Sequence, residues 1–406
     1  MSVEIARKLI GGWPMVRLGD LATYINGRPF KPSDWGTVGL PIIRIQNLTD
    51  PLAHFNRYMG PVSERNFVRD GDLLVSWSAS LDAFIWRRGD AILNQHIFKV
   101  EEDASLVDRQ YLYFALREVM GEIRKQTHGA TMKHINKPEF EAFEIPLPPI
   151  LEQQRIAKAL KRKLAAIEGA RRASAERVEA AWALPAAYLR EVFESEEARK
   201  WPDATLGEVV DEFRYGTSNK SMDTGYVTLR IPNVIGNTLD LREIKTVPVT
   251  PAELDRLRLV DRDLLFVRTN GSPDNVGRCA VFQSTMLETQ GIDSRDVIYA
   301  SYLIRARPKH GMVSAEFLQY YFQSDAGRES ILENCVTTAG QYNINTQGLA
   351  GLRIPLPALV TQEVLLKDLR MRCDRALTMQ RLMKQELTGI ESLPASLLRQ
   401  AFSGAL

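Results

Sequence analysis

Two kinds of hydrophobic pattern alternate along this chain, and each occurs twice. Short apolar runs separated by polar turns, at 40–48 and 72–76 and again at 226–231 and 263–267, predict strands. A helix is predicted late in each stretch. Leu112, Leu116, Val119 and Ile123 recur at helical spacing within 111–125, and 317–322 begins the counterpart. Both regions therefore read as α+β domains.

The second pattern is longer. Residues 151–183 contain no proline, are rich in Ala, Leu, Glu, Lys and Arg, and predict one helix of about 50 Å at roughly 1.5 Å per residue. Leu160, Ile167, Ser174 and Ala181 step by seven along it, beside a row of Leu164 and Val178 that Arg171 breaks. A second such helix carries Leu369, Ala376, Met383 and Ile390 in one row, with Cys373 and Leu387 in another that Gln380 interrupts. Each stripe needs a partner, and the simplest partner is the other helix, antiparallel, as a coiled coil. Prolines before each helix (148, 149, 357) and near its end (185, 394) are expected to bound it.

The chain is in fact written twice. Ile145-Pro146-Leu147-Pro148 recurs as Ile354-Pro355-Leu356-Pro357, and 354 − 145 = 209 positions also relates Ile135-Asn136 to Ile344-Asn345, Gln153 to Gln362, and Leu184-Pro185-Ala186 to Leu393-Pro394-Ala395. Upstream the offset slips through insertions while the order persists. Trp13-Pro14 matches Trp201-Pro202, Arg44-Ile45-Gln46-Asn47 matches Arg230-Ile231-Pro232-Asn233, and Asp70-Gly71-Asp72-Leu73-Leu74 matches Asp261-Arg262-Asp263-Leu264-Leu265. The framework repeats and the decoration differs, as when one scaffold presents two different surfaces. The expected architecture is two pseudo-repeated domains, 1–148 and 196–357, separated by two long antiparallel coiled-coil helices, 149–195 and 358–406.

Bulk charge adds little, since 52 Lys+Arg against 50 Asp+Glu leaves a net charge of +2, so any nucleic-acid footprint must be local. Residues 151–177 hold eight Lys/Arg against three Glu, and read as a solvated or partner-binding face. Cys279, Cys335 and Cys373 are far apart and odd in number, which fits three buried small side chains in a reducing compartment. With no stretch long enough to span a bilayer and no leader-like N-terminus, the chain is expected in the cytoplasm, off any membrane.

Catalytic motifs are missing. The Pro148-Pro149 pair lies between Leu147 and Ile150, unlike the Asp/Asn-Pro-Pro-aromatic tetrapeptide of amine methyltransferases, and neither a GxxxxGK[ST] nor a GxGxxG loop occurs. His128 and His134 lack Cys or acidic companions, so no metal site is expected, and no nucleophile–base set is apparent. What remains are polar clusters at strand ends and loops, suited to holding phosphates and reading base edges. In the first copy the candidates are Arg28, Lys31, Arg44, Asn47, Ser76, Ser78, Asn94, Gln95 and His96, with Thr131, Lys133 and His134 in the donor-rich loop 127–137. In the second copy they are Lys220, Arg230, Asn233, Arg268, Thr269, Asn270, Ser272, Arg278 and Tyr302, with Gln341, Tyr342 and Asn343 in the corresponding loop. Arg268 suits guanine, and Asn94 or Gln95 suits adenine.

Two such domains, each followed by an Ile-Pro-Leu-Pro…Gln boundary and a long helix, resemble the specificity subunit of a type I restriction-modification system over nearly the whole chain. Matching segments include Gly129-Ala130-Thr131-Met132-Lys133-His134-Ile135-Asn136-Lys137, Arg268-Thr269-Asn270-Gly271-Ser272 and Gln341-Tyr342-Asn343-Ile344-Asn345. Where the first copy has Glu152-Gln153-Gln154 the second has Thr361-Gln362-Glu363, a local departure at the helix start. The resemblance implies a non-catalytic DNA-recognition subunit that reads a bipartite double-stranded target, one half per domain. It implies docking to two modification (methyltransferase) subunits and to restriction subunits. S-adenosylmethionine, ATP and Mg are then expected on those partners, with no cofactor in this chain. The competing expectation is a stand-alone DNA-binding or scaffold protein that dimerises through its helices.

Overall fold

The computed structural model describes residues 9–126, 135–236, 238–338 and 340–404. By contacts the chain divides into a first unit, 1–175 with 385–406, and a second unit, 176–384. Each unit holds one α+β domain and part of each long helix.

The repeat seen in sequence is a repeat of sheets. In the first unit Ala22–Asn26, Ile97–Glu102, Leu73–Ser76 and Asp82–Ile85 form one antiparallel sheet in that order. Val210–Tyr215, Leu303–Pro308, Leu264–Val267 and Cys279–Val281 form its counterpart in the second. A smaller sheet in each is built on a parallel pair, Leu40–Ile43 with Ala91–Leu93 and Tyr226–Leu229 with Ile298–Tyr299. The expected strand at 40–48 ends early, because Ile45–Thr49 turns into a short helix. Arg109–Gln126 is the expected helix of the first domain. Its counterpart is broken into Ala315–Tyr321 and Asp325–Glu333, where the Ser324 hydroxyl donates to the Tyr321 carbonyl and accepts from the Gly327 amide. Of the three cysteines, Cys279 alone is fully buried; Cys335 and Cys373 are half-buried, a correction to the sequence reading.

The long helices run Ile150–Phe193 and Leu359–Phe402, 44 residues each. Both pass through the prolines expected to end them, Pro185 and Pro394. Packing of the turns beyond each proline outweighs the roughly 3 kcal/mol of an interior proline. In the first unit Ile156, Ala157 and Leu160 of the first helix share a core with Leu397, Leu398, Ala401 and Phe402 of the second. Phe402 lies 5.3 Å from the Tyr111 ring. In the second unit Leu189, Val192 and Phe193 take the same place beside Leu366 and Leu369, with Phe193 at 5.4 Å from Phe317 and 5.5 Å from Tyr321. Burying each such side chain contributes about 1.5–3 kcal/mol. Within each unit the helices run antiparallel: Glu191 meets Arg372 while Ala181 meets Gln380 in the second.

The repeated glutamine fastens each helix start to its domain. Gln153 is fully buried; its Oε1 accepts from the Asp108 amide at 2.7 Å and its Nε2 donates to the carbonyls of Leu106 and Pro148 at 3.0 and 2.8 Å. Gln362 does the same with the Ser314 amide and the Met312 and Pro357 carbonyls. Gln153→Leu strands three backbone groups at once and should destabilise the first unit by about 2–3 kcal/mol, read as a lowered denaturation midpoint. Wild-type stability in that variant would mean that water replaces the latch at no cost.

Candidate nucleic-acid interface

In the first unit a close backbone approach sets the site. A Cβ on Gly27 would lie 2.1 Å from the Asn94 carbonyl oxygen, so only glycine lets the chain run alongside 93–97. That approach places Arg28 in a parallel bridge with Asn94. The Arg28 guanidinium lies over the Phe30 and Tyr58 rings at 4.6 and 4.7 Å, and donates to the Tyr58 hydroxyl at 3.3 Å and the Pro61 carbonyl at 3.5 Å. Arg44 lies over Trp35 at 5.1 Å. Arg44, Gln46, Asn94 and His96 together line a cleft of about 150 Å³.

Gln95 and Lys31 are exposed beside this group, Gln95 with its Nε2 at 3.1 Å from His96 Nε2. Behind the cleft the Trp77 ring packs on His96 at 5.4 Å. The Trp77 indole nitrogen and His96 Nδ1 are both buried without a hydrogen-bond partner among the described residues. Thr131, Lys133 and His134 lie outside the described residues.

The second unit has the equivalent glycine, Gly216, whose Cβ would lie 2.1 Å from the Tyr299 carbonyl oxygen. Its polar segments, separate in sequence, join in one small antiparallel sheet of Thr269–Asn270, Gln341–Asn343 and Val336–Thr338. Thr269 pairs with Asn343 and Asn270 with Tyr342, and the Thr269 hydroxyl meets Gln341 Oε1 at 3.1 Å. Arg268 stands at the head of this sheet. Its amide donates to the Tyr302 carbonyl and its own carbonyl accepts from the Ile344 amide, each at 2.9 Å. Its guanidinium lies 4.8 Å over the Tyr215 ring and makes no hydrogen bond among the described residues. Tyr302 is 58% exposed, and Lys220 is exposed.

The loop after Asn270 is held from inside. Asn270 Oδ1 accepts from the Ser272 amide, Arg278 donates to Asn275 Oδ1, and Arg328 donates to the Pro273 and Val276 carbonyls. Burial pulls the Arg278 guanidinium below its ordinary pKa, so that its charge sits at a cost beside the site.

Three expected contacts are corrected. Asn47 and Asn233 are fully buried, and each is a local clamp. The Asn47 Oδ1 accepts from the Arg44 amide while its Nδ2 donates to the Ala53 and His54 carbonyls. Asn233 repeats this with the Arg230 amide and the Asp240 and Glu243 carbonyls. With donors and acceptor engaged, neither can read a base. Ser76 is buried too, its hydroxyl donating to the Ser78 carbonyl. Arg230 is half-buried and turned to Glu243, 3.6 Å from its carboxylate.

The strand registers also reveal residues that the sequence reading passed over. Trp77 occupies the place of Arg268: its amide donates to the His96 carbonyl and its carbonyl accepts from the Ile135 amide, each at 3.4 Å. Gln46 in the cleft, and the rings of Trp35, Tyr58 and Tyr215 under the arginines, complete the set. The offset of 191 that relates Asp72 to Asp263 carries Trp77 onto Arg268, so the repeat itself held that signal.

Residues 10–177 match the family described as type I restriction modification DNA specificity domain. Over 99% of this chain and 90% of the relative, the sequence is 24% identical to the type I restriction enzyme EcoKI specificity subunit of Escherichia coli K12. It is 23% identical to the MjaVIII specificity subunit of Methanocaldococcus jannaschii, over 88% and 85% of the two chains. Among solved structures, a chain of a type I R-M system superposes with a TM-score of 0.75 at 18% identity, covering 98% of this chain and 100% of that one. The HsdS subunit from Thermoanaerobacter tengcongensis superposes with a TM-score of 0.62, also at 18% identity, over the whole of both chains. These two structures share the fold of this chain.

Proposed function

This chain belongs to the specificity subunits of type I restriction-modification enzymes, and on that premise we propose that it reads a bipartite double-stranded DNA target, one half-site per domain. The observation that carries the reading is the contrast between the repeated framework and its two exposed faces. Both domains share the sheet order, the buried glutamine latch and the buried asparagine clamp. They differ where a duplex would touch them: Arg28, Arg44, Asn94 and His96 about a cleft in one, Arg268, Thr269, Gln341 and Asn343 on a small sheet in the other. Those side chains offer guanidinium, amide, imidazole and hydroxyl groups, the set that holds phosphates and reads major-groove edges.

The chain supplies the address and no chemistry. Two modification subunits dock on it and carry S-adenosylmethionine for methyl transfer, and restriction subunits bring ATP and Mg. The long helices act as the spacer that sets the unread gap between half-sites, in the way that paired reading heads elsewhere sit about one DNA turn apart. The complex works in the cytoplasm; among the described residues no helix is long and apolar enough to cross a membrane.

Replacing residues 196–357 with the corresponding domain of another such subunit should change one half of the modified target and leave the other half and the gap as they were. Methylome sequencing of cells carrying the chimera and its partner subunits reads this directly. A change in both halves would contradict domain-by-domain reading.

A further inference from the structure

A proline inside a helix leaves one carbonyl without its amide donor, the one four residues earlier. For Pro185 that carbonyl belongs to Ala181, which is buried. The donor comes from the other helix: Gln380, 4% exposed, places its Nε2 2.9 Å from the Ala181 oxygen. This glutamine is also the residue that interrupts the apolar seven-residue row of the second helix. An apolar side chain there would extend the row and leave the carbonyl without a donor. About two turns away along the second helix, Arg372 donates to Glu191 at 3.1 Å and lies 4.2 Å over the Tyr188 ring. The break at Pro185 is thus bracketed by two cross-helix contacts.

The other proline is treated differently. The repeat mate of Gln380 is Arg171, since 380 − 209 = 171, and the carbonyl four residues before Pro394 is that of Ile390. Arg171 instead forks onto Glu168 of its own helix, with both contacts at 2.9 Å.

We propose that Gln380 and Pro185 form a keyed joint: the prolyl break presents a carbonyl that only the facing helix can satisfy, and this bond fixes the register of the two helices. Gln380 is accordingly a positioning residue. Sliding the helices by one residue would carry Gln380 away from the Ala181 carbonyl, which Pro185 deprives of its helical donor. The inference rests on the reading of the helices as a spacer, and the register it locks is what sets the gap.

The test is a two-residue cycle in the complete complex with its modification subunits. Targets with the native gap, or one base pair longer or shorter, are methylated in competition, and the denaturation midpoint of the chain is measured alongside. Gln380→Leu should lower the midpoint and raise methylation at off-length gaps, relative to the native gap, by up to about tenfold, the factor that 1.4 kcal/mol represents. Pro185→Ala restores the amide to the first helix. The double variant should therefore recover the midpoint while gap discrimination stays relaxed. Unchanged discrimination in Gln380→Leu would overturn the proposal, and so would its full recovery in the double variant, which would reduce Gln380 to a plug. If Gln380→Leu alone does not accumulate, the Pro185→Ala background carries the same measurement. A wild-type complex that methylates no split target would instead overturn the DNA reading, an outcome separate from either.

Discussion

Replacing Glu212 by alanine is expected to destabilise the second unit by about 3–5 kcal/mol, whereas Arg305→Met should cost about 1–2 kcal/mol. The two residues are ion-pair partners, yet their surroundings are unequal. Arg305 sits on the central strand Leu303–Pro308 with 2% of its surface exposed, and donates to the Arg256 and Arg258 carbonyls at 3.2 and 2.9 Å. Glu212 is the only carboxylate among the described residues that pairs with it. Without Glu212 a guanidinium stays buried with no countercharge, which is the expensive way to break such a pair. Without Arg305, Glu212 keeps Arg214 and its access to water. The hydrogen bond from Arg214, and then that from Arg305, hold the Glu212 carboxyl below the ordinary range against its desolvation. Its folded pKa is therefore the lower one, so the stabilisation is present at neutral pH and fades as the pH falls through the carboxylate range. Glu212→Ala should also flatten that acid slope. Denaturant titrations of the two variants between pH 7 and pH 4 read both effects, and equal costs at pH 7 would show that the buried cation does not need its partner.

Such a buried cation was not legible in the sequence, although both copies have one. Lys99 stands where Arg305 does, on the central strand, donating to the Phe67 carbonyl at 3.1 Å with Asp72 at 3.7 Å. Neither residue interrupts its strand pattern in a way that separates it from an outward-facing charge, because alternation does not say which face a second layer will cover. The asparagines misled for a related reason. Asn47 and Asn233 recur at matching places in the repeat, and a recurring polar residue after a strand suits a binding loop as well as a clamp; only the carbonyls of Ala53 and Asp240 coming back onto them decide the matter. Position in the repeat, by contrast, was legible. It matched Gln153 to Gln362, whose equivalent bonding the fold then explains, but it left Arg268 and Gln341 as separate candidates until the pairing of Thr269 with Asn343 joined their segments. The helix ends were misjudged because proline's local cost was weighed without Phe193 and Phe402, whose rings pack into the two domain cores only if the helices continue.

Arg268 is where the largest change in specificity is expected. An arginine laid on an aromatic ring spends its face on the ring and leaves its in-plane donors free. Arg268 does this over Tyr215 with no acceptor among the described residues, at the junction of the strand 264–267 and the sheet carrying Gln341 and Asn343. Its backbone is pinned at both ends by Tyr302 and Ile344, so little entropy remains to be lost on contact. A planar fork held this way suits the O6 and N7 acceptors of guanine, and a good bidentate contact of that kind contributes about 1–3 kcal/mol, or roughly 5–150-fold, in discrimination. Arg268→Ala in the assembled methyltransferase should relax one base position of one half-site by that factor and leave the other half-site unchanged. Arg268→Lys separates base reading from phosphate holding. Lysine keeps the charge and loses the fork, so the same position should relax while overall affinity and its salt dependence stay close to wild type. Methylation rates on targets substituted one base at a time, measured at two salt concentrations, give both numbers. If the lysine variant discriminates as well as the wild type, Arg268 holds a phosphate, and the base is read by its neighbours Thr269, Gln341 or Asn343.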